Sequence, residues 1–293
     1  MNRVGIDLGG TKIEGVLLDD DHNVIKRDRV LTEREKGYDA IIEKIIGLVQ
    51  TLISAGDVNS PIGICTPGSI DPTSSMMKNS NTICLIGQPL REDLEKGLGV
   101  SVHMENDANC FALAEATMGV AQGYGVVFGV ILGTGCGGGI VINNKIHSGP
   151  NRVGGEWGHH VLYPDGKSCY CGNKGCTEQY ISGTALEKEW KQLTGEFQQV
   201  TDIIDQQLYQ AHPEWKENFM LNFGRALANV IDILDPDVIV LGGGLSKVDL
   251  LYSEGAASAY KETFSETVVT PILKNKLGDS AGIYGAAMLG DIN

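Results

Sequence analysis

Apolar residues fall along this chain in two rhythms, short alternating or continuous runs that predict strands and longer stretches at helical spacing that predict helices. Arg3 to Leu8 reads as a strand that turns at Gly9-Gly10-Thr11-Lys12 and returns from Ile13 to Asp19, a hairpin rather than a strand feeding a helix. Between Tyr38 and Ala55, Ile41, Ile42, Ile45, Ile46, Val49, Leu52 and Ile53 recur at helical spacing and predict a core helix ending near Gly56. Ile62 to Cys65 predicts a short strand that closes in the turn Thr66-Pro67-Gly68-Ser69. A polar loop from Lys78 to Thr82 precedes a short helix from Leu90 to Gly97. Val100 to Glu105 alternates as a strand and delivers Asn106-Asp107-Ala108-Asn109, where another helix begins.

The second half repeats the opening theme. Val126 to Leu132 is a buried strand that runs into Gly133-Thr134-Gly135-Cys136-Gly137-Gly138-Gly139 and resumes as Ile140 to Ile142. This glycine-tipped hairpin echoes the first, about 120 residues earlier. Such an echo predicts a duplicated architecture in which two like domains each aim a glycine hairpin at one bound polyphosphate. Ile181 to Trp190, Val200 to Gln210 and Trp215 to Leu234 read as helices, and Asp235-Pro236-Asp237 breaks the last of them. Val238 to Leu241 is a buried strand leading to Gly242-Gly243-Gly244, a run that suits close approach of a nucleotide. Gly285 starts a small-residue helix that packs back on the first domain. The expected division is a smaller α/β domain over residues 1–118, joined by the C-terminal helix at about 280–293, and a larger one over 119–279, with a cleft between.

Composition narrows the partners. A net charge of −14 on 293 residues, with no basic patch, argues against nucleic acid and anionic membrane. The first residues enter a strand directly, with no leader-like apolar segment, and no run reaches membrane-spanning length. Seven cysteines, an odd number with three clustered, fit a reducing cytoplasm better than a disulfide framework.

That cluster is the most specific chemistry in the chain. Cys169, Cys171 and Cys176 stand at spacings of two and five, with His159 ten residues before the first. Three thiolates and one imidazole make a closed tetrahedral zinc site, structural because no position is left for water. Gly172 and Gly175 let the backbone fold between the ligands, and spacing alone leaves His160 in competition with His159. At the first hairpin, Gly9 and Gly10 allow close approach, Thr11 and Lys12 offer a hydroxyl and a cation, and Asp7 can hold magnesium. Asn106 or Asp107 can cap the helix that follows it; alternatively Asp107 is a carboxylate placed to accept a hydroxyl proton. Asn81 is either a turn former or a substrate contact.

Together these motifs resemble the ROK family, sugar kinases and related repressors on the actin-like, ribonuclease-H-like fold. The resemblance runs the length of the chain through Asp7 to Lys12, Thr66-Pro67-Gly68, Asn106 to Asn109, Gly133-Thr134-Gly135, Glu156-Trp157-Gly158-His159, the Cys169 to Glu178 module and Asp237 to Gly244. It implies Asp107 as catalytic base. It also implies that Asn106, Asp107, Glu156, His159 and Glu178 hydrogen-bond the sugar, with Gly68 and Asn81 lining its pocket. Zinc falls on His159, Cys169, Cys171 and Cys176, in preference to His160. Asp7, Gly9, Gly10, Thr11 and Lys12 face magnesium and the terminal phosphates of ATP, Gly133 and Thr134 lie opposite, and Gly242, Gly243 and Gly244 sit near the adenosine. Members are often dimers, and no stripe in this sequence identifies such an interface.

Substrate choice rests on the loop after Asn81. Family glucokinases tend to carry a Gly-Trp pair there, where this chain has Ile86-Gly87-Gln88-Pro89. The departure resembles the bacterial fructokinases or manno(fructo)kinases and favours phosphorylation of fructose at its 6-hydroxyl, with mannose or glucose weaker. N-acetylglucosamine kinase is the nearest rival, since those relatives share a Gly-x-Pro in the same loop. A repressor is disfavoured because the family's repressors carry a DNA-binding region before the kinase-like part, and a phosphate hairpin that starts at Asp7 leaves no room for one; the acidic charge argues the same way. A sugar sensor without turnover is disfavoured because it has no need of Asp107.

Overall fold

The computed structural model describes residues 2–56 and 61–291, so the last two residues of the expected C-terminal helix lie outside the described region. The first hairpin forms as predicted. Strand β1 (Arg3–Leu8) pairs antiparallel with β2 (Lys12–Leu18), Asp7 opposite Glu14, and β3 (Val24–Leu31) pairs on the outer edge. After helix α1 (Tyr38–Ile53), strand β4 (Ile62–Thr66) joins β1 in parallel. The small ribbon β5 (Ser69–Ile70) and β6 (Met77–Lys78) and helix α2 (Leu90–Leu98) intervene. Strand β7 (Val102–Asn106) then completes a sheet of order β3-β2-β1-β4-β7. Helix α3 (Asp107–Thr117) leaves its end directly.

The second sheet repeats this order. Strands β8 (Val126–Leu132), β9 (Cys136–Ile142) and β10 (Lys145–Ile146) form the antiparallel part. Helices α4 (Glu178–Ile181), α5 (Gly183–Thr194), α6 (Val200–Asp205) and α7 (Pro213–Leu234) follow. Strand β11 (Val238–Gly242), helix α8 (Glu254–Glu262), strand β12 (Ile272–Lys274) and helix α9 (Ala281–Met288) end the fold. The order β10-β9-β8-β11-β12, with β11 parallel to both β8 and β12, matches the first sheet strand for strand. This duplication is the actin-like α/β architecture that the echoing hairpins implied.

Three apolar clusters hold these layers. Ile6, Ile13, Ile41, Ile45 and Leu94 fill the space between the first sheet and α1 and α2. Phe128, Val130, Trp215, Phe219 and Phe223 do the same for the second sheet and α7. Between the sheets lies a third cluster, built from Val16, Leu113, Val127, Val240 and Ala286 with the rest of α3 and α9. Helix α3 is buried from Ala108 to Ala116, and its buried Glu115 is satisfied by the backbone N–H groups of Val120, Lys276 and Leu277. Its contact with α9 is close because a Cβ at Gly285 would lie 1.8 Å from the Cys110 carbonyl oxygen.

Some segments differ from expectation. Helix α9 begins at Ala281, four residues before Gly285, since the alanine and isoleucine there continue its buried face. The helix expected over 200–210 stops at Asp205, where Gln207 turns left-handed at φ 54°, and a 3-10 turn over Leu208–Ala211 takes its place. Strand β3 carries four charges and is exposed on both faces for most of its length, so no alternation announced it. Among the described residues no helix is long and apolar enough to cross a membrane.

Candidate active site

The end of β7, the loop after β4, the glycine tip of the β8–β9 hairpin and the cysteine loop enclose a cavity of about 840 Å3. It brings together Gly68, Asn81, Asn106, Asp107, Glu156, His159 and Glu178, with Gly133 and Thr134 on its wall. Every residue expected to touch the sugar is therefore present in one place.

Local geometry explains how each arrives. Gly68 takes φ 141°, with Lys78 O 2.7 Å from where a Cβ would be, so the Thr66 turn presses onto the Asn79–Asn81 loop. Asn106 is the cap of α3: its Oδ1 accepts the Asn109 N–H at 2.8 Å. Asp107 is the first helical residue, and its Oδ1 accepts the Ala108 N–H at 2.9 Å. The residue is exposed into the cavity, and the protein around it displaces part of its bulk water. That withdrawal from bulk water raises its pKa above the ordinary aspartate value, against the lowering by the Ala108 N–H. Glu156 is raised for the same reason, opposed by His159 and helped by the negative charges of Asp107 and Glu178. Glu178 is anchored by the Cys136 N–H at 3.0 Å.

Beside the cavity, His159, Cys169, Cys171 and Cys176 place their donor atoms within 4.8 Å of one another. His159 Nδ1 stands 3.7 Å from Cys169 Sγ, and Cys171 Sγ 3.6 Å from Cys176 Sγ. Bond lengths of zinc to sulfur and nitrogen set tetrahedral edges of about 3.8 Å between sulfurs and about 3.6 Å between sulfur and nitrogen. The donor set thus fits a tetrahedral metal ion. Gly172 at φ 93° and Gly175 at φ 73° make the turns, and a Cβ at Gly175 would lie 1.7 Å from Tyr163 O. His160 is excluded from the cluster: its ring meets Trp157 O, Thr177 Oγ1 and Asn229 Nδ2. The second nitrogen of His159 meets the Tyr170 hydroxyl at 3.1 Å. Tyr170 was not anticipated as part of the cavity, although its place between two clustered cysteines is what pushes it outward.

The nucleotide side is less uniform. Asp7, the penultimate residue of β1, has a pKa raised by burial and by the negative charge of Asp107, against a hydrogen bond from Cys65. Two carboxylates converging in this way suit a divalent cation. Gly9 is closed over Lys12 O, Gly10 faces Arg34 and Thr82, and Thr11 is exposed. Lys12 Nζ is held by Glu14 at 2.9 Å. None of Asp7, Gly9, Gly10, Thr11 and Lys12 lines the large cavity. Gly133 and Thr134 also face a second hollow of about 220 Å3, shared with Thr184, Gln199 and Gly244. Of the terminal glycine run only Gly244 reaches it. Gly242 is buried against the Phe111 ring, and Gly243, at φ 79°, lies over Leu132 O.

Known proteins agree with this geometry. The chain is 39% identical to the N-acetyl-D-glucosamine kinase of Vibrio cholerae, over 97% of this chain and 98% of that one. It superposes on the ROK hexokinase of Thermus thermophilus with a TM-score of 0.89 at 32% identity, covering 99% and 98% of the two chains. A ROK family glucokinase from Streptomyces griseus, solved with glucose and AMPPNP, superposes with a TM-score of 0.78 at 29% identity, covering 99% of each chain. The model of the ROK family matches residues 3–291, and the chain belongs to that family.

Proposed function

We propose that this protein is an ATP-dependent kinase that phosphorylates N-acetyl-D-glucosamine at its 6-hydroxyl. The observation that carries the kinase reading is the single cavity in which Asp107, its pKa raised, stands among Asn106, Glu156, His159 and Glu178. The choice of sugar rests on the near full-length similarity to N-acetyl-D-glucosamine kinases, of which the Vibrio cholerae protein is one. Fructose, favoured by the Gly87-Gln88-Pro89 loop, has no support among these relatives, and the same loop was shared with the N-acetylglucosamine kinases.

Asp107 accepts the proton of the 6-hydroxyl as that oxygen attacks the γ-phosphorus and ADP leaves. A carboxylate with a raised pKa is the stronger base for this step. Asn106, Glu156 and Glu178 re-pair ring hydroxyls stripped of water, each of which would otherwise be costly to bury. Magnesium, when bound, neutralises charge on the β- and γ-phosphates, and Asp7 is the residue that would hold it. Gly133, Thr134 and Gly244 line the hollow open to the nucleotide. Zinc, when bound by His159, Cys169, Cys171 and Cys176, supplies rigidity rather than chemistry, fixing the loop on which His159 and Tyr170 meet the cavity.

The test is ADP release with magnesium and ATP across N-acetylglucosamine, N-acetylmannosamine, fructose, mannose and glucose, compared by kcat/KM. The highest value falls on N-acetylglucosamine. A maximum on fructose or glucose refutes the sugar, and binding without turnover of any of the five refutes the kinase.

A further inference from the structure

Glu105 immediately precedes the Asn106 cap and takes no part in the site described above. Its carboxylate is nevertheless heavily committed. The side chain is 15% exposed. Oε2 accepts the Asn109 side-chain N–H at 3.0 Å, while Oε1 accepts the Ser148 hydroxyl at 2.6 Å and an Arg152 guanidinium N–H at 2.9 Å. The first partner belongs to α3, where Asn109 also donates its backbone N–H to Asn106 Oδ1. The other two belong to a loop of the second half of the chain. In that loop Ser148 O accepts the Gly154 N–H at 2.9 Å, two residues before Glu156.

One carboxylate therefore joins two walls of the sugar cavity, the turn that carries Asn106 and Asp107 and the loop that leads to Glu156. A charged acceptor with three donors, one of them cationic, makes strong and directional bonds. The bonds from Asn109 and Ser148 are partly buried, whereas the Arg152 side chain is 45% exposed and its ion pair is screened accordingly. Arg152 adopts φ 56°, a conformation that a non-glycine residue keeps only where its surroundings hold it, and Glu105 is such a hold.

We infer that Glu105 is a positioning residue that fixes Asn106 and Asp107 relative to Glu156, and so aligns the sugar between base and phosphate. This rests on the function proposed above. Glu105 itself touches no reacting atom, because it does not line the large cavity that holds Asp107.

The experiment compares Glu105→Gln, Arg152→Ala, Arg152→Lys and the double variant Glu105→Gln/Arg152→Ala with wild type. Glutamine keeps the shape and loses the charge. In Glu105→Gln, kcat/KM for N-acetylglucosamine falls about ten- to a hundredfold, the scale of misplaced reacting groups, while KM for ATP stays within about twofold. Arg152→Lys recovers most of what Arg152→Ala loses, and the double variant is no worse than Glu105→Gln alone. Amide exchange of segments 106–110 and 148–156 quickens together in Glu105→Gln, a readout that needs no ligand. Unchanged sugar kinetics, equal losses for sugar and ATP, or exchange that quickens in only one segment overturns the inference. If Glu105→Gln fails to fold, Arg152→Ala and Ser148→Ala carry the same comparisons. A wild type that turns over no sugar refutes the proposed function separately, and the exchange experiment still decides the role of Glu105.

Discussion

Removing the metal ligand Cys176 tests the link between the cysteine loop and sugar binding. Cys176 is fully buried, and its sulfur lies 3.6 Å from that of Cys171. The Cys171–Cys176 and His159–Cys169 donor separations, 3.6 and 3.7 Å, fall within about 0.2 Å of the edges of a zinc tetrahedron. The widest donor separation, up to 4.8 Å, closes by about 1 Å when the ion binds, and one zinc per chain is expected in protein purified without added metal. Cys176→Ser replaces a thiolate by a hydroxyl that stays protonated near neutral pH, leaving three ligands and an open edge. The zinc content should fall well below one per chain by atomic emission. Loss of groups that only orient the ligands typically weakens metal sites by about ten- to a hundredfold, and loss of a thiolate ligand itself should cost at least as much. Because His159 shares the cluster and its other nitrogen holds Tyr170, the affinity for N-acetylglucosamine, measured by calorimetry, should weaken in parallel. The affinity for ATP should not. Full sugar affinity in protein stripped of zinc, or unchanged zinc content in Cys176→Ser, would refute this reasoning.

Other outcomes follow from the carboxylates and the packing. Asp107→Asn should lower kcat by about a hundredfold or more with a much smaller change in sugar affinity, read from steady-state kinetics and calorimetry. In wild type, kcat/KM should rise with pH through the raised pKa of Asp107, and the variant should lack that limb. The same shift makes a stability claim. A folded-state pKa above the unfolded value means the unfolded chain releases this proton first, so stability falls as pH rises between the two and stays lowered above both. Asp107→Asn should therefore melt at a higher temperature than wild type at pH 7, with the gap closing below about pH 4, in a thermal scan across pH. Gly285→Ala forces a methyl against the Cys110 carbonyl, so α3 and α9 must separate. Urea unfolding should show a loss of about 1–3 kcal/mol, as for other overpacked cores.

The hairpins, α1, α7 and the buried strands were legible because each carries an unbroken apolar period or a glycine-marked turn. Strand β3 and helix α8 were not: the first is a charged edge, and the second buries little beyond Ala256 and Ala259. The cysteine spacing pointed to a metal cluster, but choosing His159 over His160 required the family resemblance, and the geometry agrees because His160 is held by Trp157 O and Thr177. Lys12 is drawn to Glu14 because the two stand two residues apart on one face of β2, a pairing that follows from the strand period once the strand is known to begin at Lys12. Gly242 looked like its neighbours in the sequence and is separated from Gly244 only by the Phe111 ring packed on it. Glu105 gave no signal, because the two partners that tie it to the second half of the chain lie 43 and 47 residues away.

The most direct measurement places equal amounts of N-acetylglucosamine, fructose and glucose in one reaction with ATP, magnesium and this protein, and separates the sugar phosphates formed. The account predicts N-acetylglucosamine 6-phosphate as the dominant early product, formed in step with ADP and abolished in Asp107→Asn. Fructose 6-phosphate as the main product, or ADP release that survives Asp107→Asn undiminished, would contradict it.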